Sequence, residues 1–179
     1  QLQFLIKGFE SGYFLAGNDE ETLYFRTTNK APRSRVVAIN PKQPDPSQWN
    51  EVVPETENVL QVAGIMGDSI VLEYLQDAKS ILQVNSLSGK LLHEVELPGV
   101  GSVGGFSGAA TEADAFFSFS SFNRPDTIYR LTIAKGSAEV FKAPKLSFDP
   151  DRFLVKQVFY RSKDGTRVPM FITHRKDLD

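Results

Sequence analysis

The segment Ser80-Ile-Leu-Gln-Val-Asn85 decides the fold, because close copies of its pattern occur twice more along the chain. The copies are Arg35-Val-Val-Ala-Ile-Asn40 and Thr127-Ile-Tyr-Arg-Leu-Thr132, so the three segments begin at residues 35, 80 and 127. Each alternates apolar and polar residues, which is the period of a half-buried β-strand. The sequence therefore predicts a repeating β unit.

The residues around each copy predict three further strands per unit. A strand-like run precedes each copy, a polar turn follows it, and a short fourth run ends the unit just before or at Pro54, Pro98 and Pro144. The predicted strands are 13–16, 23–27, 35–40 and 49–53, then 59–65, 69–75, 80–85 and 91–96, then 100–106, 115–122, 127–132 and 138–142.

Four short strands in a repeat of roughly 40–50 residues are typical of β-propeller blades. A β-sandwich also has regularly spaced short strands, but the matched prolines and strand order favour the propeller. Three blades are too few to close a ring of about 4–8. We therefore expect residues 1–6 to be the last strand of a preceding blade, followed by blades at about 11–54, 58–98 and 99–144. The segment 1–146 would be the C-terminal part of a larger propeller, with open blade edges prone to self-association.

The stretch after the third unit predicts a β-hairpin. Two strand-like runs, 153–160 and 167–173, flank Ser162-Lys-Asp-Gly165. Gly adopts the positive φ that such a turn needs without strain, so Asp-Gly between strands is a strong hairpin signal. The sequence is thus predicted to be all-β.

Three stretches resemble the prolyl oligopeptidase family, in the family's order. Tyr74-Leu-Gln-Asp-Ala-Lys-Ser-Ile-Leu82 and Phe119-Ser-Ser-Phe-Asn-Arg-Pro-Asp-Thr-Ile-Tyr129 are similar to its blade segments. Ser162-Lys-Asp-Gly-Thr-Arg-Val-Pro-Met-Phe-Ile172 is similar to the opening of its α/β-hydrolase domain.

The resemblance implies a serine peptidase in which a seven-bladed propeller covers a hydrolase domain. Such an enzyme cleaves short peptides after proline through a Ser-Asp-His triad, and its propeller admits oligopeptides while excluding folded proteins. Residues 147–179 would be the linker and first hairpin of the hydrolase domain. The triad would lie beyond residue 179, so no catalytic residue is assigned here and the segment alone should be inactive. The alternative is a non-catalytic propeller that binds proteins.

Composition narrows the possible functions. Hydrophobic residues make up 41% and charged residues 23%, with a formal net charge of −2 and no cysteine. No basic patch suggests nucleic-acid binding, and no apolar run approaches the ~18–20 residues that cross a bilayer. We expect no metal, cofactor, nucleic-acid or membrane partner; the expected partners are an oligopeptide, the remaining blades and the hydrolase domain. Lack of cysteine fits the cytoplasm, while a periplasmic or secreted protein stays possible because the N-terminus of a longer protein would be absent.

Two glycine-containing motifs are weak candidates for a site. Gly105-Phe-Ser-Gly-Ala109 resembles a nucleophile elbow, but it has Ala at the fifth position and no predicted helix after it. Gly99-Val-Gly-Ser-Val-Gly104 matches a dinucleotide fingerprint, but a strand is predicted where the helix should begin. We predict a blade turn and a crowded inner strand, respectively.

The remaining candidates have structural interpretations. His93 and His174 are 81 positions apart and are predicted at the surface. Asp149 and Asp151 flank Pro150 and predict a turn at the domain crossing. The acidic run 18–21 predicts a solvated hairpin tip. Aromatic residues that could stack on a ligand are predicted to belong to a core that covers both faces of a blade; they are Trp49, Phe116, Phe117, Phe119 and Phe122.

Overall fold

A computed structural model describes residues 4–178, and nearly all regular structure in it is β. Twelve strands form three four-stranded antiparallel sheets in chain order, which we call blades 1, 2 and 3. The strands are β1 (Tyr13–Asp19), β2 (Thr22–Thr27), β3 (Arg35–Ile39), β4 (Asn50–Val53), β5 (Val59–Met66), β6 (Ser69–Gln76), β7 (Lys79–Ser86), β8 (Leu91–Val95), β9 (Ser102–Ser107), β10 (Asp114–Ser121), β11 (Arg124–Thr132) and β12 (Ser137–Lys142).

Each blade is a simple meander, because every strand pairs with the strand that follows it in the chain. The three predicted four-stranded units, and the all-β fold class, are confirmed. Three short 3₁₀ helices occupy Pro46–Gln48, Ile133–Lys135 and Pro150–Arg152. Within residues 4–178, no helix is long and apolar enough to cross a membrane.

Blade 2 is buried on both faces, and the alternation of β6 explains how. Ile70, Leu72 and Tyr74 pack in the cluster shared with blade 1, whereas Val71 packs in the cluster shared with blade 3. All four side chains are at most 5% exposed. A strand with apolar residues on both faces needs a neighbour on each side, so this sequence stacks the blades face to face.

Glycines permit close packing both between blades and between strands of one blade. The Ser80 amide donates a 3.0 Å hydrogen bond to the carbonyl of Gly101, which joins blade 2 to the start of β9. A Cβ on Gly101 would also lie 2.2 Å from the Ser120 carbonyl oxygen on β10 of the same blade, so this glycine lets the start of β9 lie close to β10. Between blades 1 and 2, a Cβ on Gly17 would lie 2.7 Å from the Cβ of Ile65. No larger residue fits at these two positions without moving the backbone.

The predicted hairpin is present. Strands β13 (Phe153–Arg161) and β14 (Arg167–Arg175) pair in continuous register from Phe153 with Arg175 to Arg161 with Arg167. Gly165 has φ 84° in the turn, as the Asp-Gly signal predicts. The hairpin is a separate two-stranded sheet.

The predicted strand over residues 1–6 is not seen in the part that the structure describes. Residues 1–3 lie outside the described residues, and residues 4–6 form no strand. A strand needs a neighbouring strand for its backbone hydrogen bonds, and residues 4–6 have none among residues 4–178.

Candidate functional site between the blades and the C-terminal hairpin

The hairpin lies against the turns that join the second and third strands of blades 2 and 3. These turns are Asp77-Ala78, between β6 and β7, and Phe122-Asn123, between β10 and β11. Equivalent turns of neighbouring blades emerge on the same side of the stacked sheets. This side is the best candidate for a functional surface, because it combines polar groups, exposed aromatic rings and a second structural unit.

We call Asp77-Ala78 the docking turn. The Asp77 carbonyl accepts a 2.5 Å hydrogen bond from Nε2 of Gln157 in β13. Both carboxylate oxygens of Asp77 lie 3.4 Å from Nη1 of Arg167 in β14. The Arg167 guanidinium carbon also lies 3.2 Å from the ring centroid of Phe159, in a cation–π arrangement. One turn of blade 2 therefore contacts both strands of the hairpin.

The docking turn has an unusual backbone. Asp77 has φ 48° and Ala78 has φ 64°, both in the left-handed region. Two consecutive left-handed residues make a tight hairpin turn, which Asn-Gly or Asp-Gly usually occupies. Alanine here costs on the order of 1 kcal/mol relative to glycine. In this conformation the Asp77 carbonyl and carboxylate face the hairpin.

The turn of blade 3 makes a second set of contacts. Nδ2 of Asn123 donates a 3.1 Å hydrogen bond to the Pro150 carbonyl, and Arg124 forms an ion pair with Asp151. The rings of Phe122 and Phe171 pack with centroids 5.4 Å apart. The linker and both strands of the hairpin are thus attached to two different blades.

A small open cavity of about 260 Å³ lies where these contacts meet the first strand of blade 3. Its wall combines the docking-turn residue Ala78, the backbone around Gly101, and the rings of Phe122 and Phe171. Phe122 is 68% exposed. The cavity offers apolar surface and hydroxyl groups, and no nucleophile paired with a base.

A second polar site is buried between blades 2 and 3. The Glu73 side chain is 3% exposed and accepts a 2.8 Å hydrogen bond from Oγ of Ser80. The same Oγ accepts a 2.9 Å hydrogen bond from the Val103 amide. Burial raises the pKa of the Glu73 carboxyl, and the hydrogen bond from Ser80 opposes that rise.

In blade 1, burial and a hydrogen bond to Asp19 raise the pKa of the Tyr24 hydroxyl to about 12.

The two glycine motifs have the structural roles that the sequence suggests. Gly105-Phe-Ser-Gly-Ala109 spans the end of β9 and the following turn, and the next element is strand β10. Gly99-Val-Gly-Ser-Val-Gly104 leads into β9, and Gly101 and Gly104 lie against Ser120 and Ser118 of the neighbouring strand β10. Neither motif meets a helix, so neither forms an elbow or a dinucleotide site.

The histidines are not brought together as a site, and neither is fully exposed. His93 is half-buried, and its Nε2 lies 3.0 Å from the Ala134 carbonyl, between blades 2 and 3. His174 is also half-buried, with Nδ1 2.7 Å from the Arg175 carbonyl. His93 stays partly exposed while its ring packs against blade 3, where Gly136 leaves room for it.

The acidic candidates occupy turns. Asp149 caps the 3₁₀ helix Pro150–Arg152 by accepting from the Asp151 amide at 2.9 Å, which confirms the predicted turn. The run 18–21 forms the β1–β2 tip, where Glu21 pairs with Lys42 at 2.6 Å. In residues 4–178, no three His, Cys, Asp or Glu side chains are grouped so as to hold a metal ion.

The aromatic prediction is partly wrong. Phe117 and Phe119 are 2% and 1% exposed and belong to the core between blades 2 and 3. Phe116 is half-buried against Phe141, and Phe122 lies in the turn beside the hairpin. Trp49 is half-buried, with its ring edge-on to Tyr13. Of these five aromatic residues, only Phe117 and Phe119 belong to a core between two described blades.

Comparison with known proteins identifies the fold family. Residues 1–144 match the family model described as prolyl oligopeptidase, N-terminal beta-propeller domain. The chain belongs to this family. The match covers all three blades and ends just before the linker to the hairpin.

Similarity to individual members continues through the hairpin. A prolyl endopeptidase of Elizabethkingia miricola is 38% identical over 174 residues, covering 97% of this chain and 24% of that protein. A structure from a study of two prolyl endopeptidases is 39% identical with a TM-score of 0.85, covering 98% of this chain and 26% of that one. Prolyl oligopeptidase B from Galerina marginata, bound to a 35mer hydrolysis and macrocyclization substrate, is 26% identical with a TM-score of 0.82, covering 96% and 25%. The chain therefore spans about a quarter of the length of these relatives.

Proposed function

We propose that this chain supplies three propeller blades and the following hairpin of a serine peptidase that hydrolyses short peptides after proline. The observation that carries the proposal is the extent of the similarity. It covers 97% of the chain and so includes both the blades and the hairpin. A propeller that resembled this family only by its fold would not be expected to keep sequence similarity in a separate two-stranded sheet.

In this proposal the segment controls access and the chemistry lies elsewhere in the protein. The blades form part of a wall that limits the size of the peptide reaching the peptidase site. The hairpin begins the hydrolase domain, which would carry a Ser-Asp-His triad for acyl transfer. Support for a peptide substrate comes from the Galerina marginata relative, whose structure contains a 35mer.

The outer faces of blades 1 and 3 are consistent with further blades in the complete protein. Leu15 of β1 is 60% exposed on the outer face of blade 1, and Phe141 of β12 is 61% exposed on the outer face of blade 3, where it packs against Phe116. Exposed apolar surface of this kind is common at interaction sites. We propose that neighbouring blades cover it, and that the 179-residue segment self-associates when they are absent.

The first test is to read the parent gene beyond the codon for Asp179 and to express its complete product. We expect a hydrolase domain with a G-x-S-x-G elbow followed by Asp and His. We also expect cleavage of a chromogenic peptide with proline before the scissile bond, and little cleavage of the same peptide with alanine there.

Two controls locate the chemistry. Replacing the elbow serine by alanine should abolish cleavage, whereas Ser107→Ala should leave it unchanged. A complete gene product with no hydrolase domain would refute the peptidase proposal and favour the alternative, a propeller that binds other proteins.

A further inference from the structure

The contact between the hairpin and the blades differs in chemistry from the contacts between blades. In the docking turn, the Asp77 carboxylate contacts the Arg167 guanidinium of the hairpin, and the Asp77 carbonyl contacts the Gln157 side-chain amide. The Asp77 and Arg167 side chains are 40% and 55% exposed. Salt therefore screens this ion pair, whereas it leaves an apolar core intact.

The geometry of Arg167 favours a specific attachment over a chance surface contact. Its guanidinium faces the Asp77 carboxylate and at the same time stacks on Phe159 of the neighbouring strand. Stacking restricts the side chain before it meets the carboxylate, which lowers the entropy lost on pairing. The strained left-handed backbone of Asp77 and Ala78 is also characteristic of positions with a defined role.

We infer that the docking turn is a salt-sensitive attachment point that determines how firmly the C-terminal hairpin is held on blades 2 and 3. Asp77 and Arg167 act as positioning residues: they set the hairpin, and hence whatever follows it in the chain, against the open side of the blades. Weakening the pair loosens the hairpin without disturbing the blade core, because neither side chain enters that core.

The test is amide hydrogen exchange on the complete gene product, followed in peptides that cover residues 153–175. Asp77→Asn and Arg167→Gln should each speed exchange in these strands by about twofold to fivefold, the range expected for an exposed ion pair. The double variant should exchange no faster than either single variant, because each substitution removes the same ion pair. Arg175→Gln is the matched control: Arg175 pairs with Asp177 near the end of the same hairpin and makes no ion pair with the blades. It should leave the exchange of residues 153–161 unchanged.

Salt dependence separates electrostatic attachment from simple packing. Raising sodium chloride from about 0.05 M to about 0.5 M should speed hairpin exchange more in the native protein than in Arg167→Gln, which keeps only the Arg124–Asp151 pair between the linker and blade 3. The inference would be overturned if neither single substitution changed the exchange rate, or if their effects added up in the double variant. Equal salt dependence of exchange in Arg167→Gln and the native protein would also overturn it.

A kinetic readout extends the inference and rests on the proposed function. If the hairpin sets access to a peptidase site, Arg167→Gln should raise kcat/KM for a long proline-containing peptide relative to a short one. An unchanged ratio together with faster exchange would overturn this role in access while leaving the attachment established. Absence of any peptidase activity would refute the proposed function, and the exchange result would stand independently.

Discussion

The interface between blades 2 and 3 is mainly apolar, whereas the contact between the hairpin and the blades is mainly polar. The first joins a dozen buried residues, including Leu82, Phe119 and Leu131, with a single buried carboxylate. The second joins exposed ion pairs, side-chain amides and one aromatic pair. Apolar burial depends on area and is insensitive to salt, whereas exposed charge pairs contribute little and are screened. The comparison indicates blades that stay together and a hairpin that can be displaced.

A substitution in the apolar interface between blades 2 and 3 should cause the largest loss of stability. Phe119→Ala removes a ring that is 1% exposed and contacts Tyr129 edge-on at 6.3 Å. We expect the free energy of unfolding to fall by about 3–5 kcal/mol, because a cavity replaces the ring. Urea denaturation measures it. Phe122→Ala, only three positions away but 68% exposed, should cost less than about 1 kcal/mol; equal losses would contradict the assignment of the core.

Close packing between β9 and β10 within blade 3 gives the next largest effect. Gly101→Ala places a Cβ 2.2 Å from the Ser120 carbonyl oxygen, so backbone must move. We expect a loss of about 1–3 kcal/mol in urea denaturation. Ser102→Ala, at the next position, should cost less than about 0.5 kcal/mol. A well-tolerated alanine at Gly101 would show that β9 and β10 are less tightly apposed at this point than described.

The Glu73 carboxyl buried between blades 2 and 3 should make the free energy of unfolding depend on pH. The pKa of Glu73 is raised in the folded chain, so its protonated form contributes stability that is complete below the pKa of about 4.3 typical of an unfolded chain. That contribution is lost as pH rises through the folded pKa.

Glu73→Gln should therefore raise the free energy of unfolding by about 1 kcal/mol or less near neutral pH. The advantage should vanish near pH 4, because the native carboxyl is then neutral as well. Gln keeps an oxygen that accepts from Ser80, so the hydrogen bond is a poor explanation for any change. Comparing urea denaturation at the two pH values tests this; a stabilisation that is independent of pH would point to packing instead.

Much of the fold was predictable from the sequence because it is encoded by local repetition. Strand alternation in 35–40, 80–85 and 127–132, the closing prolines and the Asp-Gly turn each depend on neighbours within a few residues, and the structure has strands or turns at those places. Phe122 was assigned wrongly for a related reason. Alternation reports which face a side chain occupies, but it does not report whether another unit covers that face.

The candidate site was not predictable because its residues are distant in sequence. Asp77 meets Gln157 and Arg167 across 80 and 90 positions, and a turn with Asp-Ala carries no signal of a partner. Glu73 was missed as well, since a glutamate that alternates with apolar residues in β6 looks like a solvent-facing position. Only the stacking of a third sheet shows that this face is buried.

The hairpin contacts two blades at once, through Asp77 of blade 2 and Phe122 of blade 3. It therefore bridges the junction of blades 2 and 3 from outside. Any tilt of one blade relative to the other has to break the contacts that the hairpin makes with one of them. By mass action, a molecule that binds the docked hairpin better than the released one will stiffen the junction between the two blades, although it touches neither of their buried faces.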